Sequence, residues 1–245
     1  KVSFTVPGAL LDAQLAAKDD VAGRLLAIEQ ISTQQDQQAI AKLKEALNND
    51  SFHGVRLEAS KALRTIHSDE ALEVLLASTT QSDARVRRQV VSDLAGFYRD
   101  TAYESAHKTL DRETNPDILS PAIRALGAYA KPETRELLLK FLDSESFRNE
   151  LAGASVDAMR SHDDPAYIAP LLASLPKREA AYTSRGFAQT LGTLAYLARN
   201  EEKKDAVREF LIGYVNSKKR SVQLASLNGL GTLGDPKALG VLETF

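Results

Sequence analysis

The chain is 245 residues long, with a net charge of −2, 43% hydrophobic and 6% aromatic residues and no Trp, so small and branched aliphatic side chains must carry its packing. That balance supplies no general attraction to nucleic acid or anionic lipid, and the lack of Cys excludes disulfides, thiolate metal sites and Cys nucleophiles. No uncharged stretch approaches the roughly 18 apolar residues of a membrane span, and no signal peptide is visible.

At the N-terminus Val2, Phe4 and Val6 alternate with Lys1, Ser3 and Thr5, the period of a half-buried strand. A lone strand is unstable, and no other convincing strand follows. Residues 1–7 are therefore expected to be the terminal strand of a preceding β domain. The chain opens on Lys1 without an initiator Met and stops at Phe245 inside a helical pattern, so it reads as an excised piece. Pro7 and Gly8 end the strand, and a helix carrying Leu11 and Leu15 begins. Residues 8–245 are expected to form one helical-repeat domain.

The clearest repeat runs from Asp50 to Ser78. Val55, Ala59, Ala62, Leu63 and Ile66 fall on one stripe of a first helix. Ser68 then stands where an N-cap hydroxyl is wanted, ahead of Asp69 and Glu70, whose charge suits a helix N-terminus. Ala71, Leu72, Leu75 and Leu76 give the second helix its own apolar face. One such pair cannot bury both stripes, so it needs copies stacked on it.

Those copies align on Ile31, Leu63, Leu94, Leu126, Met159, Leu191 and Leu230, at spacings of 32, 31, 32, 33, 32 and 39. Four positions earlier stand Ala27, Ala59, Val90, Ala122, Ser155, Phe187 and Ser226, mostly small, as close helix approach requires. Arg24, Arg56 and Arg87 form a third column, replaced later by Leu119, Ala152, Ser184 and Gln223. Asn115-Pro116, Asp164-Pro165 and Asp235-Pro236 each set a capping side chain before a Pro suited to the first helical position. Pro121 should kink its helix or delay its start, with Ser120 as cap. The wide interval before Leu230 is expected to hold two long helices, Tyr182 to Arg199 and Glu201 to Val215. About fifteen helices joined by short turns make an all-α fold, an α-α superhelix or solenoid of stacked helix pairs.

The Val55-Arg56 and Val86-Arg87 openings and the Ala-x-x-Ala-Leu of Ala59 to Leu63 resemble HEAT repeats over nearly the whole chain. Pro7 to Ile31, PGALLDAQLAAKDDVAGRLLAIEQI, resembles the junction where aminopeptidase N-like zinc metallopeptidases pass from a β domain into a C-terminal helical array. That resemblance implies a zinc exopeptidase whose thermolysin-like domain lies upstream, with the helices curving over the active-site chamber. The zinc would belong to the parent enzyme. The family's HExxH pair, third Glu ligand and GxMEN segment have no counterpart between Lys1 and Phe245, so no catalytic, cofactor-binding or metal residue is carried over and this piece is expected to be non-catalytic.

Other motifs reduce to structure. His53, His67, His107 and His162 are isolated from one another in sequence, whereas a zinc pair needs one helical turn between imidazoles. Gly229, Gly231 and Gly234 spell GLGTLG, but a dinucleotide fingerprint needs a preceding strand. Here Val222 to Leu233 reads as helix, and the glycines serve close packing and a turn. The basic clusters Arg85, Arg87, Arg88 and Lys218, Lys219, Arg220 have acids nearby and read as solvated helix faces. Asp19-Asp20 and Asp163-Asp164 sit at helix starts, where capping accounts for them. No GxSxG occurs, and Asn49-Asp50-Ser51 is a glycosylation sequon in form only.

Three functions follow. The first is the non-catalytic C-terminal domain of a zinc aminopeptidase, packing on upstream domains of its own chain and shaping access to the peptidase chamber. The second is a free-standing HEAT adaptor binding a protein or peptide. The third is the group of HEAT-like proteins associated with bilin attachment.

Overall fold

A computed structural model describes residues 7–179 and 183–245. Residues 1–6 of the strand expected over 1–7 lie outside them, as does Tyr182. Among the described residues the regular structure is all helical, of the α-α superhelix class. The chain divides into two compact units, Lys1–Ala125 and Leu126–Phe245.

The first unit holds α1 (Gly8–Ala16), α2 (Val21–Ser32), α3 (Gln37–Asn49), α4 (His53–Ile66), α5 (Asp69–Ala77), α6 (Ala84–Leu94), α7 (Asp100–Arg112) and most of α8 (Pro116–Leu126). Here α1 packs on α2, α2 on α4 and α4 on α6, while α3 packs against α4 from the second layer. The second unit holds α9 (Pro132–Leu142), α10 (Glu150–His162), α11 (Ile168–Arg178), α12 (Ser184–Ala198), α13 (Asp205–Ile212), α14 (Arg220–Leu233) and α15 (Leu239–Leu242). In it α10 packs on α9 and α12, and α14 on α12 and α13.

The two sequence columns are the core. All seven residues of the Ile31 to Leu230 column and all seven of the Ala27 to Ser226 column are buried. Where the second column carries Ser, the hydroxyl is satisfied across the pair. Ser155 Oγ donates to the Leu138 carbonyl and Ser226 Oγ to the Leu211 carbonyl, each at 2.5 Å. A buried hydroxyl without such an acceptor would cost about 1–3 kcal/mol. In the clearest repeat Val55, Ala59, Ala62, Leu63 and Ile66 are all buried; on α5 Ala71, Leu72 and Leu75 are buried and Leu76 is half-buried.

Helix starts follow the capping chemistry. Asp20, Asp36 and Ser68 accept from the backbone N–H groups of Gly23, Ala39 and Ala71. Asn115, Asp164 and Asp235 accept from Asp117, Ala166 and Lys237 at 2.9–3.0 Å. The last two open 3-10 turns, Pro165–Tyr167 and Pro236–Ala238, that run on into α11 and α15. Four residues after the core column, His67, Asp163 and Gly234 close their helices in the left-handed region, with φ of 57°, 52° and 62°. The motif is one αL cap, yet only Gly234 announces it in sequence.

Two expectations are corrected. Helix α8 runs unbroken from Pro116 through Pro121. Ser120 does not cap a delayed start; it is buried mid-helix, and its Oγ has no partner among the described residues. Asn115 already satisfies the helix start, and the single donor missing at Pro121 is outweighed by burial of Ile118, Leu119, Ala122 and Ile123. The helix expected over Glu201 to Val215 is only Asp205–Ile212, whereas α12 is long, at 15 residues. The ammonium of Lys204 accounts for the late start. It donates to the carbonyls of Arg199 (2.6 Å) and Leu233 (2.7 Å), tying the segment before α13 to the ends of α12 and α14.

Candidate functional site

Register places side chains on the outer face as firmly as in the core. Six residues before the buried Ile31, Leu63 and Leu94, the equivalent positions on α2, α4 and α6 are Leu25, Leu57 and Arg88. One residue further stand Leu26, Glu58 and Gln89. Two before the column come Glu29, Lys61 and Ser92, with Arg124 in the same place on α8.

These positions line two furrows of the first unit. One, of about 580 Å³, lies along α2 and α4 between Leu25, Leu26, Glu29, Leu57, Glu58 and Lys61. The other, of about 680 Å³, lies along α6 and α8 between Leu57, Arg85, Arg88, Gln89, Asp117 and Arg124. Leu57 lines both, so they join into one groove. Leu26 is 57% exposed, an apolar side chain that the unit itself leaves uncovered.

Charge changes along the groove. On α4 Glu58 and Lys61 pair at 2.7 Å, leaving the Glu29 carboxylate as that half's remaining charge. On α6 Arg85 pairs with Asp83 at 2.6 Å, and this guanidinium holds the Asp83 carboxyl well below the usual carboxylate range. Arg88 is exposed and makes no ion pair among the described residues. The α6 and α8 half is therefore the cationic one.

A ladder of arginines, legible in sequence only as a column, fixes the helices beneath. Arg24 Nε lies 2.9 Å from Asp50 Oδ2, and its Nη1 donates to the carbonyls of Ala17 (2.8 Å) and Lys18 (2.5 Å). Arg56 donates to the Leu47 carbonyl (3.1 Å) and to Gln81, which itself donates to Asn48 Oδ1 at 2.7 Å. Arg87 donates to Glu113 (2.7 Å) and to the carbonyls of Gln81 and Ser82. Arg24 and Arg87 thus tie the loop before their own helix, and Arg56 the last turns of α3, to the loop opening the next repeat. Asp50, Gln81 and Glu113 form the acceptor column, at spacings of 31 and 32. That repeat was the available signal for these residues. In the second unit Gln223 keeps half of the device, donating to the Val215 carbonyl at 2.9 Å.

The remaining sequence candidates are dispersed. Asp20 and Asp164 cap, but Asp163 closes α10 and pairs with Arg199 at 2.8 Å. His53 opens α4. His67 stacks on Phe97 with ring centroids 4.5 Å apart, and His107 faces Tyr103. His162 Nδ1 is 2.7 Å from the hydroxyl of buried Tyr167; burial lowers the His162 pKa and pushes Tyr167 up to about 12. A phenol held neutral at that value suits a structural bond better than proton transfer. Among the described residues no three His, Asp or Glu side chains gather as a metal would require, and no helix is long and apolar enough to cross a membrane. A Cβ added at Gly229 would stand 3.2 Å from Leu211 and 3.4 Å from Ala195, the close packing expected of it, while one added at Gly231 would meet nothing. Lys218, Lys219 and Arg220 are exposed.

A family model described as HEAT repeats matches residues 9–95, the span that contains Arg24, Arg56 and Arg87. No curated protein matches the sequence. Among solved structures, the complex of CpcE and CpcF of phycocyanin lyase from a Nostoc species is similar, with a TM-score of 0.55 and 20% identity over 100% of this chain and 96% of that one. At that identity the likeness concerns the fold. Residues 9–95 thus carry HEAT repeats, and the described residues together form a helical fold of the α-α superhelix class.

Proposed function

We propose that this chain is a protein-binding HEAT adaptor, and that the groove over α2, α4, α6 and α8 receives its partner. The exposed Leu26 beside half-buried Leu25 and Leu57 carries this reading, because an apolar groove between polar rims is what a docking surface offers. The HEAT match and the likeness to a solved two-protein complex support it. A photo-crosslinking amino acid at Leu26 should capture a discrete protein from extracts of the source cells, and one at exposed Glu73 on α5 should not. Identical patterns from both positions would refute the proposal.

The likeness to the CpcE–CpcF complex of phycocyanin lyase favours a narrower form, in which the partner is a second protein chain and the pair serves bilin attachment. A bilin absorbance band that shifts on adding both chains supports it; an unchanged band counts against it.

The zinc-aminopeptidase reading rests on Pro7 to Ile31 alone. Most of that stretch lies within the HEAT match and folds as α1 and α2, and neither matching comparison points to a peptidase. Aminoacyl chromogenic substrates should show no turnover with the chain, with or without zinc.

A further inference from the structure

The groove has a direction. At one structural position, six residues before the core column, successive repeats carry Leu25, Leu57 and then Arg88. Its floor therefore runs from apolar on α2 and α4 to cationic on α6 and α8. The cationic half carries three guanidinium groups, Arg85, Arg88 and Arg124, against Asp117 in the lining and Asp83 behind Arg85. Arg88 is exposed and makes no ion pair among the described residues. The apolar half holds Glu29 and the Glu58–Lys61 pair, which would repel a continuous polyanion.

We propose that the occupant is a short segment of a partner protein, with an apolar anchor between Leu25, Leu26 and Leu57 and carboxylates at Arg88. This deepens the adaptor reading and rests on it. Packed helices lie about 8–10 Å apart, so the two furrows are separated by about two such spacings, roughly 16–20 Å. An extended chain covers that in about five or six residues. The preferred ligand thus carries its acidic pair about that far from its apolar pair, in one orientation only. A nucleic acid strand carries charge along its whole length and would meet Glu29 and Glu58. A basic segment would meet Arg88.

The test is fluorescence anisotropy of the full chain with an array of labelled peptides. The apolar and acidic pairs are separated by about three to about eight residues, with Lys-for-Glu versions and a single-stranded oligonucleotide as comparators. The expected result is binding of acidic peptides, best near the middle of that range, weakened by added salt and about tenfold by Arg88→Glu. Lys-containing peptides should gain on that variant what acidic ones lose. Arg88 is exposed, so the substitution spares the fold, and Leu26→Ser provides a second surface variant that should weaken every peptide. Indifference to Arg88→Glu, equal binding of Lys peptides, tighter binding of the oligonucleotide or no peptide binding would each overturn the inference. A partner still captured at Leu26 in any of those cases would leave the adaptor reading standing.

Discussion

Removal of Asp50 tests whether the arginine ladder holds successive repeats together. The side chains of Arg24 and Asp50 are 3% and 9% exposed, so the pair is buried, and deleting one partner of a buried pair costs about 3–5 kcal/mol through the charge left behind. Arg24 would keep its bonds to the Ala17 and Lys18 carbonyls, which sets the expected loss for Asp50→Ala at the lower end, about 3 kcal/mol. Asp50 also accepts from the Phe52 N–H at 2.8 Å. Asp50→Asn keeps an acceptor there and isolates the charge. With a urea m-value of about 2 kcal/mol/M, the midpoint of the first circular-dichroism transition should fall by about 1.5 M for Asp50→Ala. Amide exchange should speed up in α2, α3 and α4. The double-mutant cycle with Arg24→Met should show a coupling of about 1–3 kcal/mol. A midpoint within about 0.3 M of wild type, or a coupling near zero, would refute the claim that this contact joins the repeats.

Other perturbations follow from the packing. Leu63→Asp places an unpaired charge where α4 meets its neighbours and should abolish protection in α2 and α6 as well as α4; exchange confined to α4 would show that the repeats do not share that core. Asp93 is buried, with Ser60 Oγ donating at 2.6 Å and Gln89 at 3.0 Å. Burial raises its pKa against the opposing pull of Ser60, Gln89, Lys61 and Arg64. Its contribution is present below the ordinary Asp range and lost as pH rises through the raised value. Asp93→Asn should flatten that part of the stability–pH curve, and an unaltered slope would refute the assignment. An alanine Cβ at Gly127 would stand 2.3 Å from the Ala158 carbonyl oxygen, whereas at Gly231 it would meet nothing. Gly127→Ala should therefore lower the melting temperature, at a cost of about 1–3 kcal/mol, and Gly231→Ala should raise it, by up to about 1 kcal/mol of helix propensity; the opposite order would show the packing to be wrong.

The sequence by itself determined the repeat. Two columns spaced by about one helix pair are buried at every position, because a solenoid repeats one local solution and each copy shows the same periodicity. Caps before Pro116, Pro165 and Pro236 were legible for a similar reason: their chemistry lies within two residues of the helix they start. Local signals failed where distant groups decide. Pro121 breaks a local rule that long-range burial overrides, and the shortness of α13 depends on Lys204 reaching the end of α14. The candidate site was the least legible part. Leu57 scores as one more apolar residue of an amphipathic helix, and Arg88 as part of a diluted basic cluster. Only the stacking of α2, α4 and α6 lines up half-buried Leu25 and Leu57 with exposed Arg88, since a groove is a property of neighbouring helices and no single helix encodes it.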